Sequence, residues 1–130
     1  MDSRHRIEIC QYIIVTSSTR AFRARPEGCC PLRSIEPLER IRRGRLVGVF
    51  KALADPTRLE ILRLVSAQSG ATCVCDIVEH FELSQPTISH HLKVLRDAGL
   101  LTSVKLGIWS FHSPTGRARE LLTEAESLLA

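Results

Sequence analysis

The sequence predicts one mainly helical domain that contains a β-hairpin and closes with a helix. Its 130 residues suffice for a single domain. Aromatic residues make up only 5% of the chain, so a core must consist mostly of aliphatic side chains, which favours helices over a β-sandwich. No apolar run approaches the roughly 20 residues that a membrane-spanning helix needs, so we expect no membrane partner.

Helical spacing of apolar residues predicts the first two helices. A helix over 37–54 would place Pro37 in its first turn, where the missing N–H of proline is not needed. Asp55-Pro56 then combines an N-cap with proline at the first helical position, and the second helix continues to Ala67.

The next two helices are joined by a short turn. A third helix is predicted from Thr72 to Phe81, and a fourth begins after Ser84, a residue type that caps helix N-termini well. Gly99 stands where a C-terminal cap is expected. Three apolar residues form the inward stripe of the fourth helix: Ile88, Leu92 and Leu95.

After Gly99 the pattern changes to that of strands. Two strands, 100–105 and 108–112, flank Leu106-Gly107, and Trp109 is expected to pack at the base of the hairpin. Ser113-Pro114 predicts the start of a closing helix that extends to Leu129. Two helices joined by a turn and followed by a hairpin indicate a winged helix-turn-helix.

Polar residues surround the apolar stripe of the fourth helix and continue into the hairpin. Compact hydrogen-bonding side chains on a capped helix suit the bases and phosphates of a major groove, although a solvated helix face is the simpler alternative. The order of elements favours double-stranded DNA as the partner. The candidate DNA-binding residues are Ser84, Gln85, Thr87, Ser89, His90, His91, Lys93, Arg96, Lys105 and Gly107. We expect weak contacts from the hairpin, because Lys105 is its single basic residue.

Charge separates the N-terminal segment from the rest. Residues 1–50 carry ten arginines and five acidic residues, whereas residues 51–130 carry eight basic and nine acidic residues. Residues 1–36 show no sustained period and are interpreted as a mobile arm that carries Cys29 and Cys30. Residues 37–130 are expected to form the DNA-binding and dimerisation domain.

Two stretches of the chain, 55–62 and 83–95, resemble signature segments of the ArsR/SmtB metalloregulatory repressors. They read Asp-Pro-Thr-Arg-Leu-Glu-Ile-Leu and Leu-Ser-Gln-Pro-Thr-Ile-Ser-His-His-Leu-Lys-Val-Leu. The similarity covers roughly residues 38–130. It implies a homodimeric repressor that leaves operator DNA when an inducer binds, with the first and last helices at the dimer interface.

Five cysteines form two close pairs, Cys29-Cys30 and Cys73-Val74-Cys75, with Cys10 apart from both. The odd count argues against a disulfide scaffold, so we expect a cytoplasmic protein with reduced thiols. Side chains two residues apart on an ideal helix point roughly 200° from each other. Cys73 and Cys75 can therefore hold one ion only if the helix start is distorted. Cys29 or Cys30 would complete the site.

Soft thiolates select soft ions. Three sulfurs suit As(III) or Sb(III), and four suit Cd(II) or Zn(II). In the family that the chain resembles, some arsenic sensors carry an adjacent cysteine pair in the arm, which favours As(III) or Sb(III) as inducer. Cd(II), Pb(II) or Zn(II), or a thiol redox or reactive-sulfur signal, are the alternatives. No catalytic constellation is visible, so neither an enzyme nor an organic cofactor is expected.

Overall fold

A computed structural model describes residues 33–130, which form five helices and a small antiparallel sheet. Predictions that concern residues 1–32, including Cys10, Cys29 and Cys30, lie outside the described residues. The elements, in chain order, are α1 (Arg40–Leu53), α2 (Pro56–Ala67), β1 (Thr72–Cys73), α3 (Val74–Phe81), α4 (Gln85–Asp97), β2 (Leu101–Leu106), β3 (Trp109–Pro114) and α5 (Gly116–Ser127).

The predicted caps of α2 and α4 are confirmed. The Asp55 carboxylate accepts a hydrogen bond of 2.9 Å from the backbone N–H of Arg58, and Pro56 occupies the first position of α2. This N–H is the main reason that the pKa of Asp55 lies below its ordinary value. The Ser84 hydroxyl accepts from the backbone N–H of Thr87 at 3.4 Å. Both side chains satisfy donors that a helix start leaves unpaired.

Three predicted helix starts are wrong. Helix α1 begins at Arg40, after an extended Glu39, so Pro37 lies outside it. Helix α3 begins at Val74, because Thr72 and Cys73 pair with β3 as a strand. The closing helix is capped by Thr115, whose hydroxyl accepts from an amide of the first turn, because β3 runs to Pro114.

The sheet has the order β1-β3-β2 and both of its pairings are antiparallel. The hairpin between β2 and β3 turns at Gly107 and Ile108, and Gly107 has a φ of 62°, which glycine adopts without steric cost. The predicted hairpin is confirmed, with its turn one residue later than expected.

One apolar core joins all five helices to the hairpin within Leu38–Ala130, a single compact unit. The inward stripe of α4 is confirmed, since its three residues are at most 2% exposed. The core consists of Val49, Ala52, Ile61, Leu62, Val65, Ile77, Ile88, Leu92, Leu95, Leu100, Leu101, Ala118 and Leu122. Helices α3 and α4 are thus held by the same buried cluster. Among the described residues, no helix combines the length and apolar character that a bilayer crossing requires.

Candidate DNA interface and cysteine site

Helix α4 presents a polar, solvent-exposed surface on the side away from the core. Gln85, Ser89 and His90 are exposed. Their side chains make no hydrogen bond within residues 33–130. Amide, hydroxyl and imidazole groups in this state are available to base edges and phosphates. Among the predicted residues of α4, these three combine exposure with the absence of a side-chain hydrogen bond inside residues 33–130.

Four other predicted residues of α4 are held by neighbours in the protein. The hydroxyls of Ser84 and Thr87 lie 2.7 Å apart across the first turn. Lys93 Nζ donates to Asp97 Oδ2 at 2.6 Å, which holds the pKa of that carboxyl below its usual range. Arg96 Nη1 donates to the hydroxyl of Ser103 at 3.1 Å and so connects the end of α4 to β2.

The two adjacent histidines of α4 differ in their surroundings. His90 is exposed, whereas His91 is half-buried, and its Nδ1 is buried without a hydrogen-bond partner in residues 33–130. The charge of His91 also makes a minor contribution to lowering the pKa of Asp55 at the start of α2. His91 therefore lies toward α2, and of the pair His90 is the better placed to reach DNA.

The tip of the hairpin is more apolar than its predicted role suggests. Lys105 is exposed and Gly107 forms the turn, but Leu106, Ile108 and Trp109 are exposed beside them. The expectation that Trp109 packs at the hairpin base is wrong, because it pairs with Leu106 next to the turn and is half-exposed. The expectation of weak phosphate contacts from the hairpin stays a prediction.

Cys73 and Cys75 meet at the junction between β1 and α3. Cys73 is the N-cap residue of α3 and has an extended backbone, with φ −68° and ψ 142°, while Cys75 belongs to the first turn. The two Cα atoms are 5.3 Å apart and the two sulfurs are joined as a disulfide. The two residues can converge because Cys73 precedes the helix with an extended backbone, and the pair is oxidised where we expected free thiols.

The junction is connected to both parts of the winged helix. Through β1, Cys73 pairs with Phe111 and Thr72 pairs with His112 of β3. Through α3, Ile77 enters the core that also holds α4. Cys73 is 9% exposed, whereas Cys75 is an exposed residue. The pair thus lies beside the hairpin and at the start of the helix that shares its core with α4.

Within residues 33–130 no three His, Cys, Asp or Glu side chains cluster closely enough to hold a metal ion. Val78, at the position where a third local cysteine would stand, packs against the core. The proposed ligands Cys29 and Cys30 lie outside the described residues. The described part of the chain thus supplies two sulfurs.

Two structural residues were missed by the sequence analysis. Arg58 donates from Nε to the carbonyl of Ala52 at 2.6 Å and from Nη2 to that of Lys51 at 3.1 Å, so it caps the end of α1. His112 is 3% exposed, and burial lowers the pKa of its imidazole. A basic residue soon after a helix end was a usable signal for Arg58. No local signal marks His112, because its burial depends on pairing with distant β1.

The comparisons with known proteins identify the family. Residues 55–103 match the family model described as "Bacterial regulatory protein, arsR family". An uncharacterized HTH-type transcriptional regulator of Methanocaldococcus jannaschii is 50% identical over 64 residues, 49% of this chain and 71% of that protein. The chain belongs to the ArsR family. It is a DNA-binding transcriptional regulator and not an enzyme, as predicted.

Several similar members of the ArsR family are named for arsenic. The arsenical resistance operon repressor of Escherichia coli is 49% identical over 78 residues, 56% of this chain and 66% of that protein. The repressor of the same name from Bacillus subtilis is 52% identical over 63 residues, 48% of this chain and 59% of that protein. The matched segment thus spans less than two thirds of these two repressors.

Solved structures agree with the winged helix-turn-helix fold. A possible transcriptional regulatory protein from Mycobacterium bovis superimposes with a TM-score of 0.64 at 26% identity, over 69% of this chain and 96% of that one. HlyU from Vibrio cholerae gives a TM-score of 0.60 at 25% identity, over 69% of this chain and 97% of its own. The predicted fold class is confirmed.

Proposed function

We propose that this ArsR-family protein is a transcriptional repressor that leaves its operator when a soft metalloid, As(III) or Sb(III), binds its cysteine thiolates. The observation that carries the proposal is the convergence of Cys73 and Cys75 at the start of α3. A disulfide and a shared ion have one requirement in common, which is that the two sulfurs lie on the same side of the backbone. The arsenical names of the E. coli and B. subtilis relatives support the choice of ion.

DNA binding is assigned to α4. The capped N-terminus of α4 would enter the major groove together with the exposed side chains of Gln85, Ser89 and His90. Lys105 and Gly107 of the hairpin would lie beside the sugar-phosphate backbone of the DNA. Because the body of the chain is nearly neutral, affinity depends on these local contacts and on the arginines of the N-terminal arm. We infer a cytoplasmic location, because a regulator of this kind acts where its operator DNA lies.

The cysteine site would couple to DNA through α3. Thiolates from Cys73 and Cys75, with Cys29 or Cys30 of the arm as a further ligand, fit the chemistry of As(III) and Sb(III), which bind sulfur strongly. Reduced thiols at an uncapped helix start can move without breaking the core around Ile77. A differential stabilisation of a few kcal/mol, on the order of 3 kcal/mol, is enough to change operator affinity by about two orders of magnitude.

We also propose that the protein acts as a homodimer through α1 and the C-terminal residues. Large apolar side chains on these segments are exposed: Ile41, Leu46, Val47, Phe50, Leu128 and Leu129. Such side chains are usually covered by a partner. A related winged-helix domain from M. bovis is itself described as homodimeric.

Phe50→Asp should shift the mass in light scattering from dimer to monomer, while Lys51→Asp, on the same turn, should not. A wild-type monomer at micromolar concentration would contradict the proposal.

One titration tests the proposed function. Reduced protein is bound to a fluorescent duplex that it has selected from a random DNA library, and As(III), Sb(III), Cd(II), Pb(II) or Zn(II) is added. We expect As(III) and Sb(III) to release the duplex while ultraviolet thiolate-to-ion bands appear. Release by Cd(II), Pb(II) or Zn(II) alone would assign the other inducer class. Release by none of the five ions, despite specific DNA binding, would contradict ion sensing.

A further inference from the structure

The disulfide between Cys73 and Cys75 carries an inference of its own. It occurs in a structure whose α4 is capped by Ser84, anchored by Ile88 and Leu92, and connected to β2 through Arg96. The oxidised pair is therefore compatible with an intact DNA-reading helix. It is incompatible with ion binding, because a sulfur in a disulfide has no thiolate to donate.

We propose that Cys73 and Cys75 form a reversible redox lock that holds the protein in its DNA-binding state and makes it insensitive to its inducer. The inference rests on the proposed function. It assigns to oxidation the effect opposite to that in a redox sensor, where oxidation itself releases DNA. Disulfides in reducing compartments are usually transient and regulatory, which fits a lock that cellular thiols can reopen.

The two cysteine residues differ in exposure, and this difference suggests the order in which they react. Cys75 is exposed and Cys73 is 9% exposed, so a hydroperoxide reaches Cys75 first. The Cys75 thiolate attacks the O–O bond, becomes a sulfenic acid and releases an alkoxide, or hydroxide when the oxidant is hydrogen peroxide. The Cys73 thiolate then attacks the Cys75 sulfur, forms the disulfide and expels hydroxide. Two protons neutralise the released anions, and the hydroperoxide accepts the two electrons that the sulfurs lose.

The backbone makes the second step local. In the bonded pair the Cα atoms stand 5.3 Å apart, inside the range that disulfides require. Cys73 is held by its strand pairing with Phe111 and Cys75 by the first turn of α3. The bond therefore coexists with an intact core, and opening it returns two neighbouring thiols to the proposed ion site.

The test compares reduced and peroxide-treated full-length protein on the selected duplex, with and without As(III). Trypsin releases residues 64–93 as one peptide that contains both cysteines, so mass spectrometry shows the disulfide as the loss of two hydrogen atoms. We expect the oxidised protein to keep its affinity for DNA and to lose release by As(III). Dithiothreitol should restore release. Cys10→Ser should behave as wild type, because Cys10 takes no part in the lock.

Each other outcome points to a different failure. DNA release by peroxide alone would overturn the lock and favour a redox sensor. Normal As(III) release from protein whose 64–93 peptide is fully oxidised would overturn the lock and leave the proposed function standing. Absence of As(III) release from reduced protein would contradict the proposed function and remove the basis of the lock. Faster alkylation of Cys73 than of Cys75 by iodoacetamide would overturn the proposed order.

Discussion

The two helices of the helix-turn-helix are anchored in the same way but begin differently. Ile77 of α3 and Ile88 of α4 are both fully buried in one core. Helix α4 starts with a serine hydroxyl that accepts a backbone hydrogen bond, whereas α3 starts at Cys73, which makes no such bond. The helix that would read DNA starts with a side-chain cap, and the helix that would respond to an inducer starts without one.

This difference separates stability from signalling. The buried side chains hold both helices in place, so the start of α3 can change without unfolding the domain. The N-cap position of α3 is occupied by a potential ligand, and its neighbours belong to a two-residue strand. A ligand or an oxidant that reacts at Cys73 and Cys75 therefore changes a segment that contributes little to the core.

The largest expected effect tests the shared anchoring. Ile77→Ala and Ile88→Ala each remove a fully buried side chain and should each cost about 2–5 kcal/mol of unfolding free energy. Urea denaturation in reducing buffer measures both values, and Val104→Ala, at an exposed site, is the control. If one isoleucine costs far less than the other, the two helices do not share one core.

The next effect tests the difference between the two helix starts. Ser84→Ala removes a cap and should cost about 1 kcal/mol. Cys75→Ala, at an exposed position of the first turn of α3, should stay within about 0.5 kcal/mol in reducing buffer. If both changes lower the unfolding free energy equally in the same urea denaturation, the starts of α3 and α4 do not differ in their contribution to stability.

A smaller effect concerns the turn between the two helices. Glu82 has a φ of 53°, a conformation that costs an ordinary residue energy and glycine almost none. Glu82→Gly should therefore raise the unfolding free energy by about 0.5 kcal/mol. The matched change Gly99→Ala, at φ 76°, should lower it by about 1 kcal/mol. Changes of the same sign at both positions would show that backbone strain is not the cause.

The smallest effect is a pH dependence at His112, which pairs with β1. Burial first, and the charge of Arg96 second, hold the pKa of the folded-state imidazole below 6.5. Between the folded and unfolded pKa values the unfolded chain binds more protons, so stability is full above about pH 6.5 and falls as the pH decreases below it. Melting temperatures from pH 7.5 to 5.5 should fall less for His112→Gln than for wild type. An identical slope in the two proteins would exclude His112 as the cause.

The sequence predicts the caps and apolar stripe of α4 better than it predicts the start of α3. Ser84, Gly99 and the stripe of α4 act through neighbours within one or two turns, so spacing alone identifies them. Strand β1 has only two residues and exists because Thr72 and Cys73 pair with β3, about 40 residues away. Local periodicity cannot reveal that pairing, and the same distant pairing explains the missed burial of His112. From the sequence, the two cysteine sulfurs could meet only if the two residues did not both lie on a regular helix. In the structure Cys73 belongs to β1 instead of α3, and this allows the sulfurs to meet.

The most direct test of the coupling between the two helices is operator release measured on reduced protein with paired substitutions. Wild type, Cys10→Ser and the double variant Cys73→Ser with Cys75→Ser are titrated with As(III) on the same fluorescent duplex. We predict equal DNA affinity for all three proteins, release for the first two, and none for the double variant. Normal release from the double variant would contradict the account, because α3 would then not be the element that senses the inducer.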